Sequence, residues 1–185
     1  MDIKAFIFDM DGLLFDSERI VQRSWEIAGD ELGIPHMGDV IYHTLGMNRA
    51  GRNEYFRKYI REDFPFEEFG KLTRDNFWKI VDKEGLPLKK GAKELLAYGK
   101  SQGYKMAVAT SSSREYAMGN LIRAGIDSYF DSVVCGDMVK KAKPDPEIYQ
   151  KACESLGIQP EYCMAFEDAP GGILSAHQAG MHVIM

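Results

Sequence analysis

The sequence is poor in the features that mark several large classes of protein. Among 185 residues there are 3 cysteines, Cys135, Cys153 and Cys163, widely spaced and without a Cys-x-x-Cys pair. That spacing argues against a disulfide framework and against a structural zinc site, and it suits buried or incidental thiols in a reducing compartment. No apolar run approaches the roughly 18 residues that a membrane span requires, so no membrane partner is expected. No Lys/Arg-rich block interrupts a composition of 23 basic and 28 acidic residues with net charge -5, which leaves a nucleic-acid surface without electrostatic support. The chain enters an apolar, strand-length run directly, with no basic segment ahead of a long apolar stretch. No signal peptide is therefore expected, and the expected location is cytoplasmic. Internal repeats and low-complexity tracts are missing as well. What remains is an ordinary globular composition, 45% hydrophobic, long enough for one domain or for a core with a smaller insertion.

Five short apolar runs have the look of buried strands: Ala5–Phe8, Lys105–Ala109, Ser132–Cys135, Cys163–Phe166 and 182–185. Helical patterns at 91–102, 113–124, 145–156 and 169–179 alternate with the last four. Gly103, Gly125, Gly157 and Gly180 stand where a helix C-terminus favours glycine. Helix, glycine, strand, loop, helix is the rhythm of a parallel sheet covered on both faces, an α/β fold. The first strand breaks that rhythm. After Gly12 come roughly seventy residues without a strand pattern, which read as helices near 16–32, Met37–Thr44, 49–61 and 66–83. The first is capped by Asp16 or Ser17, with Ile20, Trp25, Ile27, Ala28 and Leu32 apolar. The rings Trp25, Tyr55, Phe56, Tyr59, Phe64, Phe66, Phe69, Phe77 and Trp78 are expected to form a core of their own. The expected organisation is an α/β core from 1–14 and 84–185, with a helical cap, 15–83, inserted after the first strand. The sequence ends at Met185 just after the last strand. An open edge with one bare face is a liability, so either more chain or another surface is expected to cover it.

Asp9 and Asp11 carry the first chemical signal. With 14 Asp in 185 residues, roughly one Asp-x-Asp is expected by chance. The context is more specific than the triplet, because the pair follows four apolar residues and precedes Gly12. Both carboxylates then lie where a buried strand runs into a loop, the end of a parallel sheet at which ligands bind. Carboxylates two positions apart on an extended chain share a face, and they repel unless one is protonated or a cation lies between them. The other strand ends are also polar. Lys105–Ala109 runs into Thr110-Ser111-Ser112-Ser113, hydroxyls at a helix start that suit a phosphate; simple capping by Ser112 or Ser113 would account for them too. Lys143 precedes Pro144-Asp145-Pro146 at another helix start, and Glu167-Asp168 ends the fourth strand. Two or three carboxylates suit a hard, oxygen-seeking metal such as Mg²⁺.

The run Asp9-Met10-Asp11-Gly12-Leu13-Leu14-Phe15-Asp16-Ser17-Glu18, with Thr110-Ser111-Ser112, Lys143-Pro144-Asp145-Pro146 and Phe166-Glu167-Asp168-Ala169, resembles the haloacid dehalogenase superfamily. Within it the chain is similar to the β-phosphoglucomutase-like phosphatases, over nearly its whole length. The resemblance implies a Rossmann-like sheet of order 3-2-1-4-5 with an α-helical cap. It implies an Mg²⁺-dependent phosphatase acting on small-molecule phosphate esters such as sugar phosphates; separately from the resemblance, a monomer is expected. Asp9 would be the nucleophile that forms an aspartyl-phosphate, and Asp11 the general acid and base. Thr110, Ser111, Ser112 and Lys143 would hold the phosphoryl group. Asp9, Asp168 and the Asp11 carbonyl would bind Mg²⁺, with Glu167 ligating directly or through water.

Asp11 also disfavours two sister chemistries, haloacid dehalogenation and phosphonate hydrolysis, which do without a second aspartate at that place. A phosphosugar mutase of the β-phosphoglucomutase type is the main alternative, and a catalytically silent binding module is another. The mutase's cap histidine is matched here by Val21, and the place of its cap lysine falls near Thr73, which points to hydrolysis. Arg49 does match a mutase cap arginine that reaches substrate phosphate; a solvated helix-start arginine would look the same. All three aspartates that a silent module tends to lose, Asp9, Asp11 and Asp168, are present.

Overall fold

The computed structural model describes residues 2–44 and 49–185, and for Arg49 and Ala50 the backbone alone. It contains five strands, β1 Ala5–Phe8, β2 Lys105–Thr110, β3 Ser132–Cys135, β4 Cys163–Phe166 and β5 His182–Ile184. They form one parallel sheet in the order β3-β2-β1-β4-β5, the α/β order expected above. Helices α1 Ser17–Glu31, α2 Met37–Thr44, α3 Arg49–Tyr59 and α4 Phe66–Glu84 follow β1, and α5 Ala92–Ser101, α6 Arg114–Arg123, α7 Glu147–Leu156 and α8 Pro170–Gln178 alternate with the later strands. The glycines at 103, 125, 157 and 180 all have positive φ, the left-handed conformation that ends a helix without a Cβ penalty.

The sheet's two faces differ in chemistry because side chains alternate along each strand. One face is small: Ala5, Ile7, Ala107, Ala109 and Ala165 pack with Ile148, Tyr149, Ala152 and Cys153 of α7 and with Ala176 of α8. Short side chains let these helices approach closely. The opposite face is aromatic and thick. Phe8 stacks on Phe166 at 4.8 Å between ring centroids, and Phe6 stacks on Tyr104 at 4.2 Å. All three cysteines are buried free thiols.

Two compact units are present, Met1–Asp16 with Leu86–Met185, and Ser17–Gly85. The residues Phe15 and Asp16 belong with the sheet. Phe15 bridges to Leu88, and the Asp16 N–H donates to the Pro87 carbonyl at 2.8 Å.

In the helical unit α1 packs on α2 and α4. Its core holds Trp25, Ala28, Ile34, Met37, Phe56, Phe64 and Phe69, with Phe66 and Leu72 against it. The expectation that all its aromatics form this core needs correcting. Tyr59 and Trp78 are exposed, and so is Ile27 of α1. They fall on helix faces turned away from the ring cluster centred on Phe56. No described helix is long and apolar enough to cross a membrane.

Phe56 meets Trp25, Phe64, Phe66 and Phe69 ring to ring. Phe56→Ala is expected to cost about 3–5 kcal/mol, and Tyr42→Ala, on the exposed side of α2, no more than about 0.5 kcal/mol. Urea unfolding curves with unchanged slope would measure both.

Candidate active site

The parallel register brings the strand ends together. Phe8 pairs with Phe166 on one side and Val108 on the other. The next residue of each strand is therefore Asp9, Glu167 or Ala109. The Asp9 N–H continues the ladder, donating to the Phe166 carbonyl at 3.0 Å.

Lys143 binds this row from the side. Its Nζ donates to Asp9 Oδ1 and to Glu167 Oε1, each at 2.6 Å, and to the Ala109 carbonyl at 3.0 Å. The ammonium also lies 4.9 Å from the centre of the Tyr149 ring. The side chains of all three charged residues are at most 11% exposed. The loop carrying Lys143 is fixed at both ends. Upstream, the Glu147 carboxylate accepts from the Lys140 and Lys141 N–H groups. Downstream, Ser175 of α8 donates its hydroxyl to the Asp145 carbonyl at 2.6 Å. The Lys143–Pro144 peptide is cis.

Asp9, Glu167 and Asp168 each offer an oxygen within 4.8 Å of the others. The Asp9 carboxyl is pushed up to about 7, first by burial, with Glu167 and Asp168 adding and Lys143 opposing. A cation among the three would act in the same direction as Lys143. Three carboxylates offering hard oxygen donors fit a divalent ion of the Mg²⁺ or Ca²⁺ type. The backbone makes room for this cluster in two places. Gly12, at φ 87°, and Gly172 lie where a Cβ would fall on the carboxylates of Asp168 and Glu167 respectively.

Asp11 is held differently from Asp9. The turn after β1 is closed by the Gly12 N–H on the Phe15 carbonyl at 2.9 Å and the Leu14 N–H on the Met10 carbonyl. The Asp11 side chain accepts from Ser112 Oγ at 2.8 Å and from Tyr116 Oη at 3.1 Å. Its carboxylate is no part of the acidic trio; only its carbonyl was assigned a metal role. Ser112 thus meets Asp11, while the capping of α6 falls to Ser113, whose hydroxyl accepts from the Tyr116 N–H at 3.4 Å. Thr110 is buried at the end of β2, and its Oγ1 accepts from the Ser112 N–H at 3.1 Å. Ser111 is exposed. The Arg49 side chain lies outside the described residues.

Two tyrosines were not anticipated. Tyr149 is fully buried, and its hydroxyl donates to Glu167 Oε1 at 2.7 Å; burial beside Glu167 and Asp9 raises its phenol well above the usual range. Tyr116 is raised likewise, by burial and by Asp11. In sequence, Tyr149 reads as part of the apolar face of α7. Tyr116 gives only one hint, standing three residues after its capping serine.

Metal binding here should register as stability. Adding Mg²⁺ to chelator-treated protein at about 100 times its dissociation constant contributes about 2.7 kcal/mol to the bound unit. A melting-temperature rise of several degrees is expected by calorimetry. Asp168→Asn, at the exposed member of the trio, should abolish most of that rise.

Comparison with known proteins places the chain in a family. The family model of haloacid dehalogenase-like hydrolases matches residues 3–180. The phosphorylated carbohydrates phosphatase of Thermotoga maritima is 34% identical over 98% of this chain and 84% of its own length. Hexitol phosphatase A of Escherichia coli is 32% identical over 100% of this chain and 83% of its own. A solved haloacid dehalogenase family hydrolase from Deinococcus radiodurans, with bound phosphate and sodium, superposes with a TM-score of 0.84. It is 25% identical and covers 98% of this chain and 80% of that one. With a sheet of matching order and an acidic cluster at its carboxyl edge, the chain belongs to the haloacid dehalogenase-like hydrolases, and it is a phosphatase of that family.

Proposed function

We propose that this protein is an Mg²⁺-dependent phosphatase of small sugar or sugar-alcohol phosphates, working through an aspartyl-phosphate on Asp9, with the helical segment as its cap. The observation that carries the reading is the division between two aspartates two residues apart. Asp9 lies in the Lys143–Glu167 cluster, and Asp11 is turned to Ser112 and Tyr116. Two carboxyls in unlike surroundings can take the unlike roles of nucleophile and proton carrier. The names of the Thermotoga and Escherichia relatives support the substrate class.

Asp9 attacks phosphorus, and the bond from phosphorus to the ester oxygen breaks. Asp11, as the general acid, gives a proton to the departing alkoxide. Asp11 then accepts a proton from the water that cleaves the acyl phosphate, which returns Asp9 and releases inorganic phosphate. Lys143 offsets the repulsion between the nucleophile and a dianionic ester. Thr110 and Ser111 form the cradle for the phosphoryl oxygens, the Ser112 hydroxyl and N–H being engaged by Asp11 and Thr110. Asp9, Asp168 and the Asp11 carbonyl would hold the metal, with Glu167 beside them. When bound, the metal supplies charge neutralisation and in-line orientation of the transferring group.

The test is phosphate release from p-nitrophenyl phosphate, glucose 6-phosphate and sorbitol 6-phosphate, with and without Mg²⁺. Release should require Mg²⁺, and Asp9→Asn should lower it by at least about 1,000-fold. Turnover seen only as conversion of β-glucose 1-phosphate to glucose 6-phosphate would replace this reading with the mutase. No turnover with Mg²⁺ bound would replace it with the binding module.

A further inference from the structure

We propose that Tyr116 is a positioning residue for Asp11, its phenol and the Ser112 hydroxyl together fixing the direction of the carboxylate that transfers the proton. The inference rests on the phosphatase reading and adds to it a residue outside the four motifs that carry the family resemblance.

The geometry is that of a two-point hold. Tyr116 Oη donates to Oδ1 at 3.1 Å and Ser112 Oγ to Oδ2 at 2.8 Å. One donor on each oxygen fixes the rotation of a carboxylate about its Cβ–Cγ bond, which a single hydrogen bond leaves loose. Both donors are themselves anchored. The Ser112 N–H is bonded to Thr110 Oγ1, and its carbonyl accepts from the Gly136 N–H at 2.8 Å. The Tyr116 backbone is tied to Ser113 in the first turn of α6. The turn from Met10 to Phe15 fixes Asp11 from its own side. Each of the three groups therefore comes from an ordered backbone, and none from the sheet itself. A proton donor misplaced by an ångström loses much of its effect, so supports of this kind matter to rate.

Chemistry separates this role from simple packing. A sugar alkoxide is a poor leaving group and needs a proton as it departs, whereas p-nitrophenolate leaves without one. The ratio kcat/KM covers the steps up to ester cleavage, so it isolates the acid role. In Tyr116→Phe, kcat/KM for glucose 6-phosphate or sorbitol 6-phosphate should fall by at least about 10-fold, and that for p-nitrophenyl phosphate by no more than about 3-fold. In an Asp11→Asn background the same change should have an effect below about 2-fold, because Tyr116 acts through Asp11.

Equal losses on both kinds of ester, or no loss on either, would overturn the inference while leaving the phosphatase reading in place. A Tyr116 effect that persists in full without Asp11 would do the same. Wild-type turnover of neither alkyl ester would overturn the sugar-phosphate reading and this inference with it. If Tyr116→Phe melts below the assay temperature, Tyr116→Met, which fills the space without a donor, carries the same comparison.

Discussion

The ammonium of Lys143 between Asp9 and Glu167 is the contact on which the site depends. Two carboxylates and one lysine, all nearly excluded from water, are stable only as a set. Removing one partner from such a buried arrangement typically costs about 3–5 kcal/mol, since it leaves a charge without compensation. With Asp168 beside them, the three carboxylates make a set of hard oxygen donors that fits a divalent cation. Structure and chemistry therefore share one source. The lysine that makes the cluster foldable also weakens the repulsion that an incoming phosphate dianion would meet at Asp9.

Parallel pairing is what lets residues so distant in sequence meet. Asp9 and Glu167 are neighbours because β1 and β4 are aligned residue for residue, Phe8 against Phe166. Lys143 is not on a strand, so its place needs other support, and Glu147, Ser175 and the small face of the sheet supply it. The alanines at 107, 109 and 165 have a functional consequence here. They let α7 lie close enough for Tyr149 to reach Glu167 from below, and the tyrosine in turn fixes the carboxylate oxygen that Lys143 also grips.

Much of the fold was legible because buried parallel strands are short apolar runs and helices stop at glycine, two signals that are local in sequence. The strand order followed from the family resemblance, not from the runs themselves. Asp9, Glu167 and Asp168 were legible as charges where apolar strands run out, and Lys143 as a charge just ahead of a Pro-rich helix start. Tyr116 and Tyr149 were not, because a tyrosine on a helix face carries the same periodic signal whether its hydroxyl is bonded or idle. The exposed faces of Tyr59 and Trp78 failed for a related reason. Aromatic content says that a ring cluster exists, but only the packing of Phe56 decides which rings enter it. Ser112 and Ser113 show the limit most directly. Adjacent and identical, one caps α6 and the other binds Asp11, and only the backbone direction at the end of β2 separates them.

Two glycines connect these observations to the backbone. At Gly12 a side chain would collide with the carboxylate of Asp168, and at Gly172 with that of Glu167. Neither glycine offers a donor set or a charge, yet they set how near the loop after β1 and the first turn of α8 can come to the acidic trio. Gly12 does more, because its positive φ lies in the turn that runs on from Asp11 to Phe15. An L-residue there would face steric strain in the backbone and a clash with a carboxylate at once. The register of β1 against β4 puts the first carboxylate in the Lys143 cluster, and the turn closed after Asp11 leaves the second to the hydroxyls of Ser112 and Tyr116.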